Sequence, residues 1–235
     1  MGVIKVGVHV VALSVQSEDV LLQQGVYTRT QAAYLAKLRP QTLSAWFEAT
    51  GTRGPAIRRM MPENADELIS FVDLIQLFAV RAVRRQPTPV SMPKIRDVVS
   101  YAEQLGVSFP FAREIRVFLF GKDIVLKLPN EDMIGASGRI KNNYLMEPVL
   151  LPYLRDITFG ADGLANEYRP LPGILMTPKK EWGAPMVEGS GYTVQTIVSA
   201  AQSEGSIEAA ADMCGVTVEQ VQQALRYEDY LGTTA

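Results

Sequence analysis

The side chains in this sequence that could do chemistry are arginines, amides and hydroxyls rather than nucleophiles or metal ligands. Arg39 is followed by Gln41, Thr42, Ser44 and Ala45, and then by Arg53, Arg58 and Arg59. Guanidinium groups pair with phosphate oxygens, and small or amide-bearing side chains can meet base edges in a groove. That is recognition chemistry. Groups that make or break bonds are scarce: one histidine and one cysteine leave no cluster for a zinc site. His9 lies in an apolar, strand-like stretch, and Cys214 stands before a turn glycine as a small buried residue would. Neither a phosphate-cradling glycine loop ending in Lys-Ser/Thr nor a Gly-x-Ser-x-Gly elbow occurs. The acidic pairs Glu18-Asp19, Glu131-Asp132 and Glu228-Asp229 read as surface charge. The expectation is a non-enzyme with no metal and no cofactor.

The elements that must position these residues begin at residues 27–47, YTRTQAAYLAKLRPQTLSAWF. Thr28 with Gln31 has the capping-box spacing of a helix start. Ala32, Ala33, Leu35 and Ala36 give an apolar face, and Lys37-Leu38-Arg39 interrupts it. Pro40 suits the first position of a new helix, in which Leu43, Trp46 and Phe47 form a buried stripe. Two short helices around a tight turn fit a helix-turn-helix or a plain αα-hairpin equally well. In the first case Gln41, Thr42, Ser44 and Ala45 occupy the reading face. The stretch TGTRGPAIRRM that follows turns at Gly51, Gly54 and Pro55. Its Arg53, Arg58 and Arg59 suit a wing that reaches the nucleic-acid backbone.

Charge favours the nucleic-acid alternative. The formal net charge of −2 conceals eleven Lys and Arg against five Asp and Glu at residues 27–96, and four against nine at residues 166–235. Phosphate affinity follows local rather than overall charge. No apolar run is long enough to span a bilayer, no secretory leader is evident, and a single cysteine fits a reducing cytoplasm.

The rest of the chain reads as further helices and hairpins. Residues 3–11 alternate loosely and suggest a strand or arm. Residues 65–85 read as one amphipathic helix, with Leu68, Phe71, Val72, Ile75, Phe78, Ala79 and Ala82 on one face and Asp66 and Glu67 at its start. A second helix runs from a Ser91 cap to a Gly106 stop. EIRVFLFGKDIVLKL predicts a hairpin turning at Gly121-Lys122, and IGASGRIKNN reads as a plain connection. A second hairpin turns at Asp162-Gly163, followed by short strands and turns. A helix from Thr193 then precedes another helix-turn-helix spacing, with Ser206 and Thr217 as caps and Gly215 in the turn. Its Glu219, Gln222 and Gln223 are poor partners for phosphate, which favours a structural or protein-binding role.

These motifs carry a resemblance. Residues 27–47 resemble the MerR-type winged helix-turn-helix, which reads roughly Tyr-Thr-x-x-Glu-Ala-Ala, Pro-x-Thr-Leu, Trp. The helices at LISFVDLIQLFAVRAVRR and VSMPKIRDVVSYAEQLG are similar to those that follow it in VapB-type antitoxins. From Arg169-Pro170 through Gly183-x-Pro185 to Arg226-Tyr227 the chain resembles domain of unknown function 433. The resemblance implies an antitoxin that masks a PIN-like ribonuclease toxin and represses the promoter they share, as a homodimer or larger complex. Three departures stand out. Lys37 replaces a turn glycine, which implies a strained left-handed residue. Ser44 and Ala45 replace common arginines, shifting phosphate grip to the wing. Gly189-Ser190-Gly191-Tyr192 replaces a Gly-Thr-Arg-apolar run.

The resulting expectation is a mostly helical α+β chain. An arm (1–25) precedes a winged helix-turn-helix with its following helices (26–110), central β-hairpins (111–165) and a small C-terminal helical domain (166–235). Gln41, Thr42, Ser44 and Ala45 would face the major groove, and Arg39, Arg53, Arg58 and Arg59 would hold phosphates. A free-standing regulator responding to a ligand or protein is the alternative.

Overall fold

A computed structural model describes residues 25–60, 68–120, 122–127, 133–135, 138–140, 149–150 and 156–233. The strand expected at residues 3–11, together with His9, lies outside them. Helices and small antiparallel sheets are segregated along the chain, an α+β arrangement. One buried apolar cluster runs from Tyr27 through to Leu231 and joins the first helices to the last.

Strand β1 (Gly25–Thr28) leads into α1 (Arg29–Leu35) and α2 (Pro40–Phe47). At the start of α1 the Gln31 amide N–H donates to Thr28 Oγ1, and the Gln31 side chain accepts from the Thr28 N–H, so two helix-end donors are satisfied. Ala32, Ala33 and Leu35 of α1 and Leu43 and Trp46 of α2 turn inward.

The helix expected from residue 65 begins only at Phe71. Leu68–Ser70 form β2, which pairs antiparallel with β1. Ser70 then caps α3 (Phe71–Arg84), with Asp73 completing the box. The capping signal lay inside the apolar pattern and set the start of the helix there. Leu68 is consequently 42% exposed rather than part of the buried stripe, and Asp66 and Glu67 lie outside the described residues. Next comes α4 (Met92–Gln104). Ser91 has cap dihedral angles but makes no side-chain cap bond, and Gly106 follows at φ 78°.

Strands β3 (Arg116–Phe120) and β4 (Asp123–Lys127) form the expected hairpin around 121–122. The connection expected at IGASGRIKNN is instead a hairpin. In it β5 (Met133–Gly135) pairs with β6 (Gly138–Ile140), and both extend a sheet ordered β6-β5-β4-β3-β7, with β7 at Val149–Leu150. Gly135 and Gly138, two of the glycines that suggested a loop, face each other at the end of this pairing. Helix α4 packs on β4 and β5.

The hairpin β8 (Ile157–Phe159) and β9 (Ala165–Tyr168) turns at Asp162-Gly163 with Gly163 at φ 74°. Short strands β10 (Ile174–Leu175) and β11 (Met186–Val187) pair across a turn of 3-10 helix at Glu181–Gly183. Three helices close the chain: α5 (Val194–Glu204), α6 (Ile207–Cys214) and α7 (Val218–Gly232), capped by Thr193, Ser206 and Thr217. Helix α7 seats on β10 and β11. Its Gln223 lies so close to Gly173 that a Cβ there would meet it at 2.4 Å. Cys214 is half-buried. No helix among the described residues is long and apolar enough to cross a membrane.

Candidate nucleic-acid interface

The turn between α1 and α2 closes by a pair of backbone bonds. Lys37 N–H donates to Tyr34 O and Leu38 N–H to Ala33 O, both at 2.9 Å. This 5→2 and 6→1 pattern needs a left-handed residue at its centre. Lys37 supplies it at φ 51°, the conformation expected from the missing glycine. A side chain there costs about 1–2 kcal/mol. The Lys37 amine donates to the Tyr230 carbonyl of α7 and lies 4.2 Å from the centre of the Tyr230 ring. Burial, and after it the charges of Arg81 and Arg85, lowers the pKa of that amine.

Arg39 is exposed at the N-cap of α2. Gln41 and Ala45, one turn apart, are exposed on the helix, whereas Thr42 and Ser44 are half-buried. Ser44 Oγ accepts from Arg29 Nη1 at 3.3 Å. The open face of α2 is therefore narrower than its sequence suggested, and it is centred on Gln41 and Ala45 with Arg39 at its head.

The loop after α2 is pinned at its base and tight at its tip. Trp46 O accepts from the amides of Ala56 and Ile57 at 3.0 and 3.1 Å, which seats the buried Ala56 and Ile57 against the end of α2. Thr50 and Arg53 exchange backbone bonds at 2.9 and 3.1 Å, with Gly51 at φ 59° between them. The loop arginines are all tethered. Arg53 pairs with Asp97 at 2.8 Å and Arg58 with Glu103 at 2.6 Å, both carboxylates on α4. Arg59 donates to Leu68 O at 2.6 Å and lies 5.1 Å from the centre of the Phe47 ring. The Arg53 and Arg58 side chains stay 48% and 49% exposed. Pairs this exposed contribute about 0–1 kcal/mol, so a phosphate can displace the carboxylate at little cost.

Arg96 of α4, which the sequence offered only as one more basic charge, is the residue that builds this surface. It is 6% exposed. Its guanidinium donates to the carbonyls of Ala45 at 2.8 Å, of Gly54 at 2.7 Å and of Glu48. The last carbonyls of a helix have no partners of their own. Arg96 supplies one to the end of α2 and fixes the following loop in the same step. Its neighbours Ile95, Val98 and Val99 made the stretch look like an ordinary apolar stripe. Nothing in that spacing marks an inward-turned arginine.

The second helix pair, α6 and α7, is occupied within the chain. Val221, Ala224, Tyr227 and Leu231 are buried, Gln220 Nε2 donates to Glu188 O at 3.0 Å, and Glu219 pairs with Arg226 at 2.7 Å. The far end of α7 meets α1, where Tyr34 donates its hydroxyl proton to Glu228 at 2.9 Å. Burial first, then the bond to Glu228 and its charge, push the Tyr34 pKa up to about 12. Among the described residues no group of three or more His, Cys, Asp or Glu could hold a metal ion.

No family model matches the chain. It is similar to a protein of Mycobacterium tuberculosis (strain ATCC 25618 / H37Rv) named "Putative antitoxin VapB45". The two are 22% identical over 225 residues, which cover 85% of this chain and 92% of the mycobacterial one. A solved structure described as "X-ray crystal structure of Rv2018 from Mycobacterium tuberculosis" superposes with a TM-score of 0.59 at 21% identity. It covers 86% of this chain and 98% of the other, so nearly the whole fold is shared.

Proposed function

We propose that this chain is a DNA-binding antitoxin that neutralises a PIN-like ribonuclease toxin and represses their common promoter, as a homodimer or larger complex in the cytoplasm. The observation that carries the reading is its similarity to a protein named an antitoxin over 92% of that protein's length. The geometry of α1, α2 and the following loop supports the DNA-binding part. Gln41 and Ala45 face the major groove with Thr42 and Ser44 at its margins. Arg39, Arg53 and Arg58 hold phosphates, and Arg59 adds charge from its fixed place on the Leu68 carbonyl. The loop acts as the wing. The role requires no catalytic group.

The test is recovery of the tagged protein from its native cells. A small ribonuclease retained in near-equal amount, together with binding of the purified pair to the DNA upstream of its own coding sequence, is the expected result. Recovery of the protein alone with that DNA would favour a second reading, a free-standing regulator that responds to a ligand or protein. One observation supports this second reading. Tyr34 to Glu228 and Lys37 to Tyr230 tie the C-terminal helix directly to the helix pair that would read DNA. Recovery with neither ribonuclease nor DNA would overturn both.

A further inference from the structure

Between α1, the 181–183 turn, the start of α5 and the end of α7 lies an open cleft of about 360 Å³. That is the size of a pocket for a small ligand or one anchoring side chain. Tyr27, Tyr34, Trp182 and Tyr227 line it, and among the described residues its only charged lining side chains are Glu181 and Glu228.

Trp182 is held in an unusual way. It is 66% exposed, and Glu181, Trp182 and Gly183 are consecutive left-handed residues at φ 44°, 54° and 83°. Two of these are not glycine, so the turn is strained, and such strain persists only where the surroundings fix it. They do so here. The buried Tyr27 hydroxyl donates to Gly183 O at 2.7 Å, and the Gly183 and Ala184 amides bond back to Lys180 O and Glu181 O at 2.9 and 3.0 Å. A large indole is thus kept in solvent by a pinned, strained turn, where burying it would have been favourable.

We infer that this cleft binds an organic cation, a guanidinium or alkylammonium head lodged between the rings and the two carboxylates. Aromatic faces attract cations, and both lining charges are negative. Tyr34 is the one residue bonded to Glu228 among the described residues, through Oε1, which leaves the second oxygen available as an acceptor. The nearby lysines do not compete. Lys37 is held on Tyr230, and Lys180 lines a different cleft with Leu175 and Met186. The start of α5 is poorly placed to attract an anion instead. Its Val194 amide already donates to Pro185 O at 2.8 Å and its Thr196 amide to Thr193 Oγ1 at 3.2 Å. The cation can belong to a free small molecule or to an arginine or lysine of a protein.

Of the two tryptophans, Trp46 is 7% exposed and does not line the cleft, so a ligand-dependent change in the emission of the full chain reports mainly on Trp182. The chain is titrated with agmatine, choline, a capped Gly-Arg-Gly tripeptide and, as control, butyrate. A saturable change in emission with the cations and none with butyrate is expected. By calorimetry Trp182→Ala weakens binding roughly three- to thirtyfold and Glu228→Gln or Glu181→Gln roughly three- to tenfold, with folding unchanged by circular dichroism. Saturation by agmatine or choline identifies a free small molecule. Saturation by the tripeptide alone identifies a protein side chain. The inference is overturned if no cation gives a saturable response, if butyrate matches the cations, or if neither glutamate variant alters the affinity.

Discussion

The helix pairs α1–α2 and α6–α7 have the same turn and different surroundings. In the first, Leu38 N–H donates to Ala33 O and Lys37 N–H to Tyr34 O. In the second, Val216 N–H donates to Ala211 O and Gly215 N–H to Asp212 O. Lys37 and Gly215 sit at the same left-handed position, at φ 51° and 63°. Yet α2 is eight residues long with Gln41 and Ala45 open to solvent, while α7 is fifteen residues long and buries Val221, Ala224, Tyr227 and Leu231. Backbone geometry alone does not make a reading head. What separates the two pairs is the charge around them and how far the second helix is built into its neighbours: α7 leaves Val218, Glu219, Arg226 and Asp229 exposed but seats its other face on α5, β10 and β11. One pair presents a surface; the other serves as a strut that holds it.

If that contrast is right, the surface pair depends on an outside tie that the strut does not need. Arg96→Met removes the donor to three carbonyls, those of Ala45, Glu48 and Gly54. These bonds are part-buried, so each carbonyl left unpaired costs toward the lower end of about 1–3 kcal/mol, and the variant should lose roughly 3–5 kcal/mol in chemical denaturation. Hydrogen exchange should rise in α2 and the loop at residues 48–60 and stay flat in α6 and α7. Equal loosening of both pairs would contradict the contrast.

A second way to separate the halves is by pH. Three capping boxes occur among the described helices, at α1, α3 and α7. Those at α1 and α7 use Gln31 and Gln220, which do not titrate. The box at α3 uses Asp73, buried beside the first helix pair, where desolvation outweighs its bonds to Ser70 and Met60 and raises its pKa from 3.8 to about 6. A carboxyl with a raised folded-state pKa adds stability that is fully present below about pH 4 and lost as pH rises through about 6. The difference in unfolding free energy between the parent and Asp73→Asn should therefore shift by up to about 3 kcal/mol between pH 4 and pH 7. The parent is favoured at the acid end. A difference that stays constant with pH would remove Asp73 as the source.

The turn residues themselves give a smaller effect of contrasting size. Nothing lies within 4 Å of a Cβ built on Gly215, so Gly215→Ala meets only backbone strain and should destabilise by about 1–2 kcal/mol. Lys37→Gly relieves similar strain but gives up the Tyr230 carbonyl and ring, so it should change stability by less than about 1 kcal/mol. A Lys37→Gly chain stabilised by the full strain would mean that the Tyr230 contact contributes nothing.

Much of this arrangement was legible in the sequence. Caps at Thr28, Ser206 and Thr217, the proline at the head of α2 and the strained Lys37 all follow from local rules that act within a few residues. The hairpins β3–β4 and β8–β9 follow in the same way. The misread parts are those where partners are distant or signals overlap. The Ser70 cap was hidden inside a continuous apolar pattern, and pairing of β2 with β1 depends on a contact across forty residues of chain. The Arg96 ties, and the ties of Arg53 and Arg58 to Asp97 and Glu103, join residues more than forty apart. Periodicity carries no information about such pairs. The cleft at Trp182 was equally invisible, since its walls come from both ends of the chain.

The smallest expected effect on stability is also the most direct test of the surface. Arg53 and Arg58 are half-exposed and paired with Asp97 and Glu103, so replacing either with alanine should cost under about 1 kcal/mol. The same two changes should act strongly on DNA. Each phosphate left without its guanidinium lowers the slope of log affinity against log salt by about 0.9, so the double variant should bind every sequence more weakly and flatten that slope by nearly 2. Asp97→Asn and Glu103→Gln should act in the opposite direction, because each frees a guanidinium that the α4 carboxylate now holds. Changes at α7, such as Glu219→Gln, should leave the slope where it is. If the slope ignores Arg53 and Arg58 but responds to α7, the roles of the two helix pairs are reversed.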